Sequence, residues 1–296
     1  MAWTDYHTHC DFCDGAERPL AYVEAALDRE VVALGFSSHA PLPFPAPWCI
    51  GRGQWPSTIE RYRTEIESLK RVYRGRLSVW VGLEVDYIPG LVGPADAAFA
   101  SFDYRIGAVH FVGRTREGLP WQMDDTPQSF ERGLEELYGG DIRTLVEAYF
   151  RALGEMAWLE RPDIVAHFDL VKKYNAGGRY FDEGETWYRS LAEEALRVVA
   201  RSGCILELNT GGMARGWTDE PYPSPWLLSR CRDLGIPMTL DSDCHRGPDV
   251  AFAFREAASV LAGAGYAELM TLGREGWRPT GFDRRGLCLG STRVAA

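Results

Sequence analysis

The chain holds six histidines, His7, His9, His39, His110, His167 and His245, and their neighbours make them a set. His7 and His9 lie one residue apart in TDYHTHCDFCD, with Asp14 and the thiols of Cys10 and Cys13 close behind. Asp243 and His245 repeat that spacing in DSDCH, and Glu84 stands in the otherwise apolar GLEVDY. In an extended strand residues i and i+2 point the same way, so each pair aims into one space. A buried carboxylate costs several kcal/mol unless it is paired or bound to a cation. Imidazole with carboxylate is a donor mixture that suits zinc, iron or manganese. A lone strand histidine is more often a hydrogen-bonded core residue than a ligand, and an isolated HxH arises by accident. The argument for a polynuclear metal site therefore rests on the six taken together with Glu84 and Asp243. Cys13 reads as a small buried filler, and Cys244, which points away from Asp243 and His245, as core.

Every one of these histidines closes a stretch with strand character. Apolar, β-branched runs recur at 3–9, 32–39, 77–87, 104–112, 163–169, 204–210 and 236–245. Between them lie helix-like stretches such as PLAYVEAALDREVV, STIERYRTEIESLKRVY, DIRTLVEAYFRALGEMAWLE and ETWYRSLAEEALRVVARS, a short helix near 94–101 and a long loop over roughly 113–140. SPWLLSRCRDLG and DVAFAFREAASVLAGAG supply the remaining helices. Strands alternating with helices imply parallel strands with right-handed crossovers. Seven such units suggest a closed barrel, whose strand C-termini converge on the face that carries chemistry. An open doubly wound sheet is the competitor, and its dinucleotide-binding form lacks support because no GxGxxG follows the first strand.

The totals bound the function. A chain of 296 residues forms one large α/β domain or two ordinary ones. An apolar fraction of 46% and a charged fraction of 25% suit a soluble globular protein. A net charge of −10 works against a phosphate-backbone binder, which needs a basic face. Seven cysteines without framework spacing point to reduced thiols and a cytoplasmic protein. No apolar run approaches a membrane span, and no charged-then-apolar leader opens the chain.

Taken in order, DYHTHCDFCDGA, LGFSSHAPLPF, GLEVDY, IGAVHFV, SFERGLEELYGGD, VAHFDLVKKY, LELNTGG and DSDCH resemble the PHP (polymerase and histidinol phosphatase) family, and within it the histidinol-phosphatase branch. The resemblance implies a distorted, TIM-like seven-stranded (β/α) barrel over residues 1–296, a single metal-dependent phosphatase domain with three metals. It implies that His7, His9, Glu84 and Asp243 hold the first metal. Glu84 would bridge to a second, shared with His110 and His167, and His39 and His245 would hold the third. The family places a histidine six residues after the HxH pair, where this chain has Gly15. Either the neighbouring Asp14 substitutes, or the third position is weak or empty. Ser38 also departs from the acid that this branch often carries before the strand-two histidine.

Two or three close divalent ions (zinc, iron or manganese) suit phosphate-ester hydrolysis, because they lower the pKa of a water from about 15.7 towards 7 and neutralise phosphoryl charge. The expected reaction is hydrolysis of L-histidinol phosphate to L-histidinol and phosphate, in histidine biosynthesis, by a metal-bridging hydroxide. Asp243 or His245 would shuttle protons near the leaving alkoxide. A basic residue should meet the phosphate: Arg215, following ELNTGG, is the first choice, with Arg246, Lys172 and Lys173 behind it, although each could be a solvated surface charge. Trp121, Asp124 and Asp125 in WQMDD are candidates for the ammonium and imidazole of the substrate, against the alternative that this stretch is a packing flap.

Three other readings compete. One is a PHP-family phosphoesterase or nuclease acting on another phosphate ester. Another is an amidohydrolase, disfavoured because Glu84 rather than a lysine is the natural bridge. The last is a non-catalytic metal-binding PHP module. A small phosphorylated partner is expected, with no nucleic acid and no membrane, and the oligomeric state is open.

Overall fold

The computed structural model describes residues 2–51 and 57–289, and in them the alternation of strand and helix becomes a barrel. Its elements run β1 (Trp3–Asp5), α1 (Pro19–Asp28), β2 (Val31–Phe36), α2 (Ser57–Val72), β3 (Ser78–Asp86) and β4 (Tyr104–Ala108). A hairpin of β5 (Phe111–Arg114) and β6 (Pro120–Gln122) follows, then α3 (Pro127–Tyr138), α4 (Ile142–Glu155), β7 (Ile164–Val165), α5 (Thr186–Ser202) and β8 (Ile205–Asn209). The short α6 (Gly211–Ala214), α7 (Pro225–Asp233), β9 (Met238–Asp241) and α8 (Phe254–Gly263) complete the barrel units. A last sheet of β10 (Glu268–Gly273), β11 (Gly276–Asp283) and β12 (Gly286–Leu287) ends the described chain.

The seven-stranded sheet has the order β1-β2-β3-β4-β7-β8-β9 with all neighbours parallel, which is the nearly closed barrel expected. Between β1 and β9 no regular ladder forms. The seam is held instead by the bridge between Thr8 and Cys244 and by two buried aspartates. The Tyr6 amide donates to Asp241 Oδ1 at 2.6 Å, and the Ser242 amide to Asp5 Oδ1 at 3.0 Å.

Strand pleating sorts the barrel interior into layers. Trp80, Tyr104, Ile106, Ile164, Ile205 and Tyr6 form an apolar plug at the N-terminal end, against which Met270 and Trp277 of the last sheet pack. Tyr104 crosses the middle because Gly35 and Gly82 leave room: a Cβ on either would sit 2.2 or 2.4 Å from its ring or hydroxyl. Helices cover the outside with amphipathic faces. α4, for example, buries Leu145, Val146, Tyr149, Phe150 and Leu153, and its N-cap Asp141 accepts from the amides of Arg143 and Thr144. Among the described residues no helix is long and apolar enough to cross a membrane.

Three stretches differ from the sequence reading. The loop expected at 113–140 is an antiparallel hairpin followed by α3, whose N-cap Thr126 accepts from Ser129 N, whose first residue is Pro127 and whose stop is a left-handed Gly139. Residues 266–289, in which no strand was expected, form the antiparallel sheet that lies against the barrel floor. The helix expected to begin near Asp249 starts at Phe254, after Ala251 and Ala253 take positive φ values of 53° and 54°.

Candidate metal centre

The upper ends of the strands bring five of the six histidines around one carboxylate, with His245 beside Asp14 and Asp243. Glu84, at the end of β3 and 2% exposed, presents Oε2 to His7 Nε2 at 3.3 Å, His9 Nε2 at 3.4 Å and His39 Nδ1 at 2.9 Å. Its Oε1 faces His167 Nε2 at 3.1 Å and His110 Nε2 at 3.7 Å. Asp243 lies across from it, with Oδ1 3.6 Å from His7 Nε2 and 3.3 Å from His9 Nε2. Asp14 reaches His39 Nε2 at 3.8 Å and His245 Nε2 at 3.4 Å. Donor atoms within 4.8 Å of one another group as His7, His9 and Asp243; as Glu84, His110 and His167; and as His9, Asp14, His39 and His245. His39, Asp86 and His110 make a further such group.

Local backbone aims these side chains. His167 and Asp243 hold positive φ values of 21° and 47°, unusual for residues with a Cβ and frequent where a site fixes the chain. Gly15 explains its own departure: a Cβ there would sit 2.5 Å from the Cys10 backbone, so this turn admits no donor side chain at 15. The carboxylate of Asp14 enters the group instead.

The donors suit cations. His7 Nε2, His9 Nε2, His39 Nδ1 and Glu84 Oε2 are buried without a hydrogen-bond partner, an arrangement that costs free energy unless a cation accepts the lone pairs. Without one, protons do part of the work. Burial alone would lower His39 and His110, but the carboxylates beside them outweigh it, Glu84 and Asp14 for the first and Asp86 and Asp124 for the second, and raise both to about 9. His9, buried beside His245 and His39, is pushed down to about 3. Against the effect of burial, Glu84 is held well below its ordinary value by His39 and His7, and Asp243 by Arg215 and His7. The residues fit two or three divalent ions.

Around the donors sit residues that the sequence reading passed over. Asp86 Oδ1 accepts from His110 Nδ1, and Glu207 Oε2 from His7 Nδ1, each at 2.8 Å. Cys13 Sγ lies 3.5 Å from His9 Nδ1, and burial pushes its thiol up to about 12, so it packs there as a neutral group. Cys244 is buried. Asp86 and Glu207 gave the signal that Glu84 gave, a carboxylate in an apolar strand.

A cavity of about 310 Å³ opens over the cluster. Arg215 lines it, donating to Asp243 Oδ2 and to the Asp243 carbonyl at 2.8 Å each and to His245 Nδ1 at 2.9 Å. Lys173, Asp124 and Asp125 line it too. Lys173 Nζ is bound to the Asp124 carbonyl at 2.6 Å and to Oδ2 at 3.2 Å. Burial opposes ionisation of Asp124, but Lys173 and His110 hold it at about 2. Trp48, Trp217 and Tyr222 add aromatic walls that the sequence did not mark.

Three sequence candidates fall elsewhere. Trp121 is core: it packs against Phe130 and Tyr138 and covers Gly133, where a Cβ would sit 2.0 Å from its ring. Arg246 points to solvent and pairs with Asp249 at 2.8 Å. Lys172 is buried among Asp169, Glu220 and Ser224, away from the cavity lining.

The chain is also similar to known proteins. The PHP domain family model matches residues 5–211. A Deinococcus radiodurans protein named "Probable histidinol-phosphatase" is 34% identical over 269 residues, 88% of this chain and 93% of that one. The histidinol-phosphatase of Bacillus subtilis is 30% identical over 269 residues, 86% of this chain and 97% of its own. The crystal structure of the Lactococcus lactis histidinol phosphate phosphatase, complexed with zinc, L-histidinol and phosphate, superposes over 98% of this chain and 100% of its own with a TM-score of 0.66 at 20% identity.

Proposed function

The chain belongs to the PHP domain family, and from that premise we propose that it is a metal-dependent phosphomonoesterase that hydrolyses L-histidinol phosphate to L-histidinol and phosphate. The observation that carries the reading is the set of unpartnered, buried imidazole and carboxylate atoms meeting at Glu84 on the floor of a small cavity. The substrate follows from the relatives, one of them a structure holding L-histidinol and phosphate.

His7, His9, Glu84 and Asp243 would hold one divalent ion, and Glu84 would share a second with His110 and His167. Asp14, His39 and His245 form the third position, with Asp14 serving where Gly15 cannot. When bound, zinc, iron or manganese ions lower the pKa of a water towards about 7 and neutralise charge on the phosphoryl group. Arg215 meets a phosphate oxygen from the cavity wall beside Asp243, preset by its two bonds to that residue. Asp243 does not supply the proton to the leaving oxygen, because Arg215 and His7 keep its carboxyl well below the usual range, with burial opposing them. His245, which lines the cavity, is the remaining candidate for that proton. Its Nδ1 lies 2.9 Å from Arg215 Nη1 and 3.1 Å from the Asp243 carbonyl, and its Nε2 lies 3.4 Å from Asp14 Oδ2.

Lys173 and Arg215 are each paired with a carboxylate, but Arg215 stands against the donors Asp243 and His245, so Arg215 is the phosphate residue and Asp125 at the cavity rim, with Trp217 and Trp48, meets the ammonium and imidazole. The reading takes residues 1–296 as one catalytic unit, with residues 1, 52–56 and 290–296 outside those described. It acts on a small phosphorylated molecule and on neither nucleic acid nor membrane. A net charge of −10 and seven cysteines that form no disulfide support a cytoplasmic setting.

The test is phosphate release by the metal-replete protein from histidinol phosphate, an aryl phosphate and a short oligonucleotide. Selective release from histidinol phosphate that is abolished by chelator supports the reading. Preference for the oligonucleotide or equal rates on both monoesters refutes the substrate assignment.

A further inference from the structure

β8 carries ILELN, and its pleat turns Ile205, Glu207 and Asn209 inward. Glu207 is fully buried, yet it neither lines the cavity nor belongs to any donor group. Its two oxygens are used by three donors. Oε2 accepts from His7 Nδ1 at 2.8 Å. Oε1 accepts from the backbone amide of His167 at 2.8 Å and from Asn209 Nδ2 at 2.7 Å.

Each bond has a consequence. A carboxylate on Nδ1 fixes the His7 proton there and leaves Nε2 as a bare lone pair, 3.3 Å from Glu84 Oε2. The amide bond holds His167 at its φ of 21°, a conformation a histidine does not keep unaided. That conformation points Nε2 at Glu84 Oε1, 3.1 Å away. His7 belongs to the first donor group and His167 to the second. Asp86 is the contrast: it orients a single ring, His110, through one bond.

We propose that Glu207 is a positioning residue that couples the first two ion positions, so that both ions bind or are lost together. The proposal rests on the metal-dependent reading above but not on its substrate.

The test uses the full-length protein stripped of metal and titrated with cobalt(II), with binding read from visible absorption and ion content. Glu207→Gln keeps the shape but offers one acceptor oxygen in place of two and turns an NH₂ towards a donor. Both ions should weaken together by roughly 10–100-fold, the range for lost outer partners of metal ligands. Asp86→Asn should weaken one ion. If Glu207→Gln does not fold, Glu207→Asp replaces it, since the carboxylate drawn back by one methylene cannot span both partners and should likewise weaken both ions. Unchanged affinity in the folded Glu207 variant, or weakening of one ion alone, overturns the proposal. Coupled cobalt binding in a protein that leaves histidinol phosphate intact would refute the substrate and keep the role of Glu207. A chain that binds no cobalt refutes both.

Discussion

β4 carries Tyr104, Ile106 and Ala108 up the barrel interior and then presents His110; β3 carries Trp80 and Gly82 and then Glu84; β8 carries Ile205 and then Glu207. Each strand thus serves a dry lower layer and a charged upper one. Below, rings pack edge to face, Tyr6 on Trp277 at 4.9 Å, and of the polar tips only Trp80 Nε1 lacks a partner: Tyr104 Oη donates to the Tyr6 carbonyl at 2.5 Å and Tyr6 Oη accepts from the Leu272 amide at 2.8 Å. Above, donor atoms are left without partners. The seam makes the same point with acids alone. With no histidine facing it, Asp5 is raised to about 6 by burial, whereas Glu84 among histidines is held down despite being buried. Burial opposes the charge of each; neighbouring imidazoles decide which carboxylate stays ionised.

The largest expected effect separates the layers. Glu84→Ala removes the carboxylate common to the first two positions, and loss of several kcal/mol of transition-state stabilisation lowers hydrolysis on the order of a thousandfold or more. The metal-stripped variant should still fold, which a thermal melt checks. If it unfolds like a core variant, the upper layer is structural and the comparison fails. Tyr104→Ala inverts the pattern. It should cost about 3–5 kcal/mol in denaturant unfolding, as other buried aromatic truncations do, while the folded fraction keeps its kcat. Loss of kcat without loss of stability would show that the lower layer positions the site more directly than packing requires.

The same layering decides what could be read from the chain. The six histidines were legible because each ends a strand and two pairs keep the period-two spacing. Glu84 was legible because a carboxylate interrupts an apolar run. Glu207 and Asp86 interrupt theirs in the same way, but lacking an HxH or DxH neighbour they were passed over. The barrel followed from seven alternations, whereas the last sheet did not, because GREGWRPTG breaks its pattern with glycines, a proline and charges. α3 had a Thr-Pro start and a Gly-Gly stop that the long-loop resemblance obscured. Trp121 and Trp217 are indistinguishable by type, and only packing sends one into the core and the other to the cavity wall.

The pH dependence of the stripped protein sharpens the contrast more gently. His39 and His110 rise from 6.5 to about 9 on folding, so their stabilising effect is full below about 6.5 and is lost as pH rises through 9. Glu84 and Asp243 are lowered, so theirs is present above about 4.5 and is lost on acidification. Metal-stripped protein should melt highest between these limits. Cations replace the histidine protons, so the loaded protein should keep its midpoint from pH 6.5 to 9 where the stripped one declines. Parallel curves with and without chelator would mean that the histidines do not exchange protons for metal.

The smallest effect distinguishes two arginines that both follow strand ends. Arg215 is bound to Asp243 and His245 beside the cavity, and its replacement by alanine should raise KM for the phosphate ester and lower kcat together. Arg246 spends its guanidinium on Asp249, three residues on, with most of the side chain in water. Such an exposed pair is screened and loses side-chain entropy, so its removal changes little. Arg246→Ala should leave kcat, KM and the melting midpoint unchanged in the assays that register Arg215→Ala. A raised KM in Arg246→Ala alone would mean that the loop after β9 turns inward when substrate binds, and the boundary drawn here between the charged layer and the solvated rim would lie one residue too early.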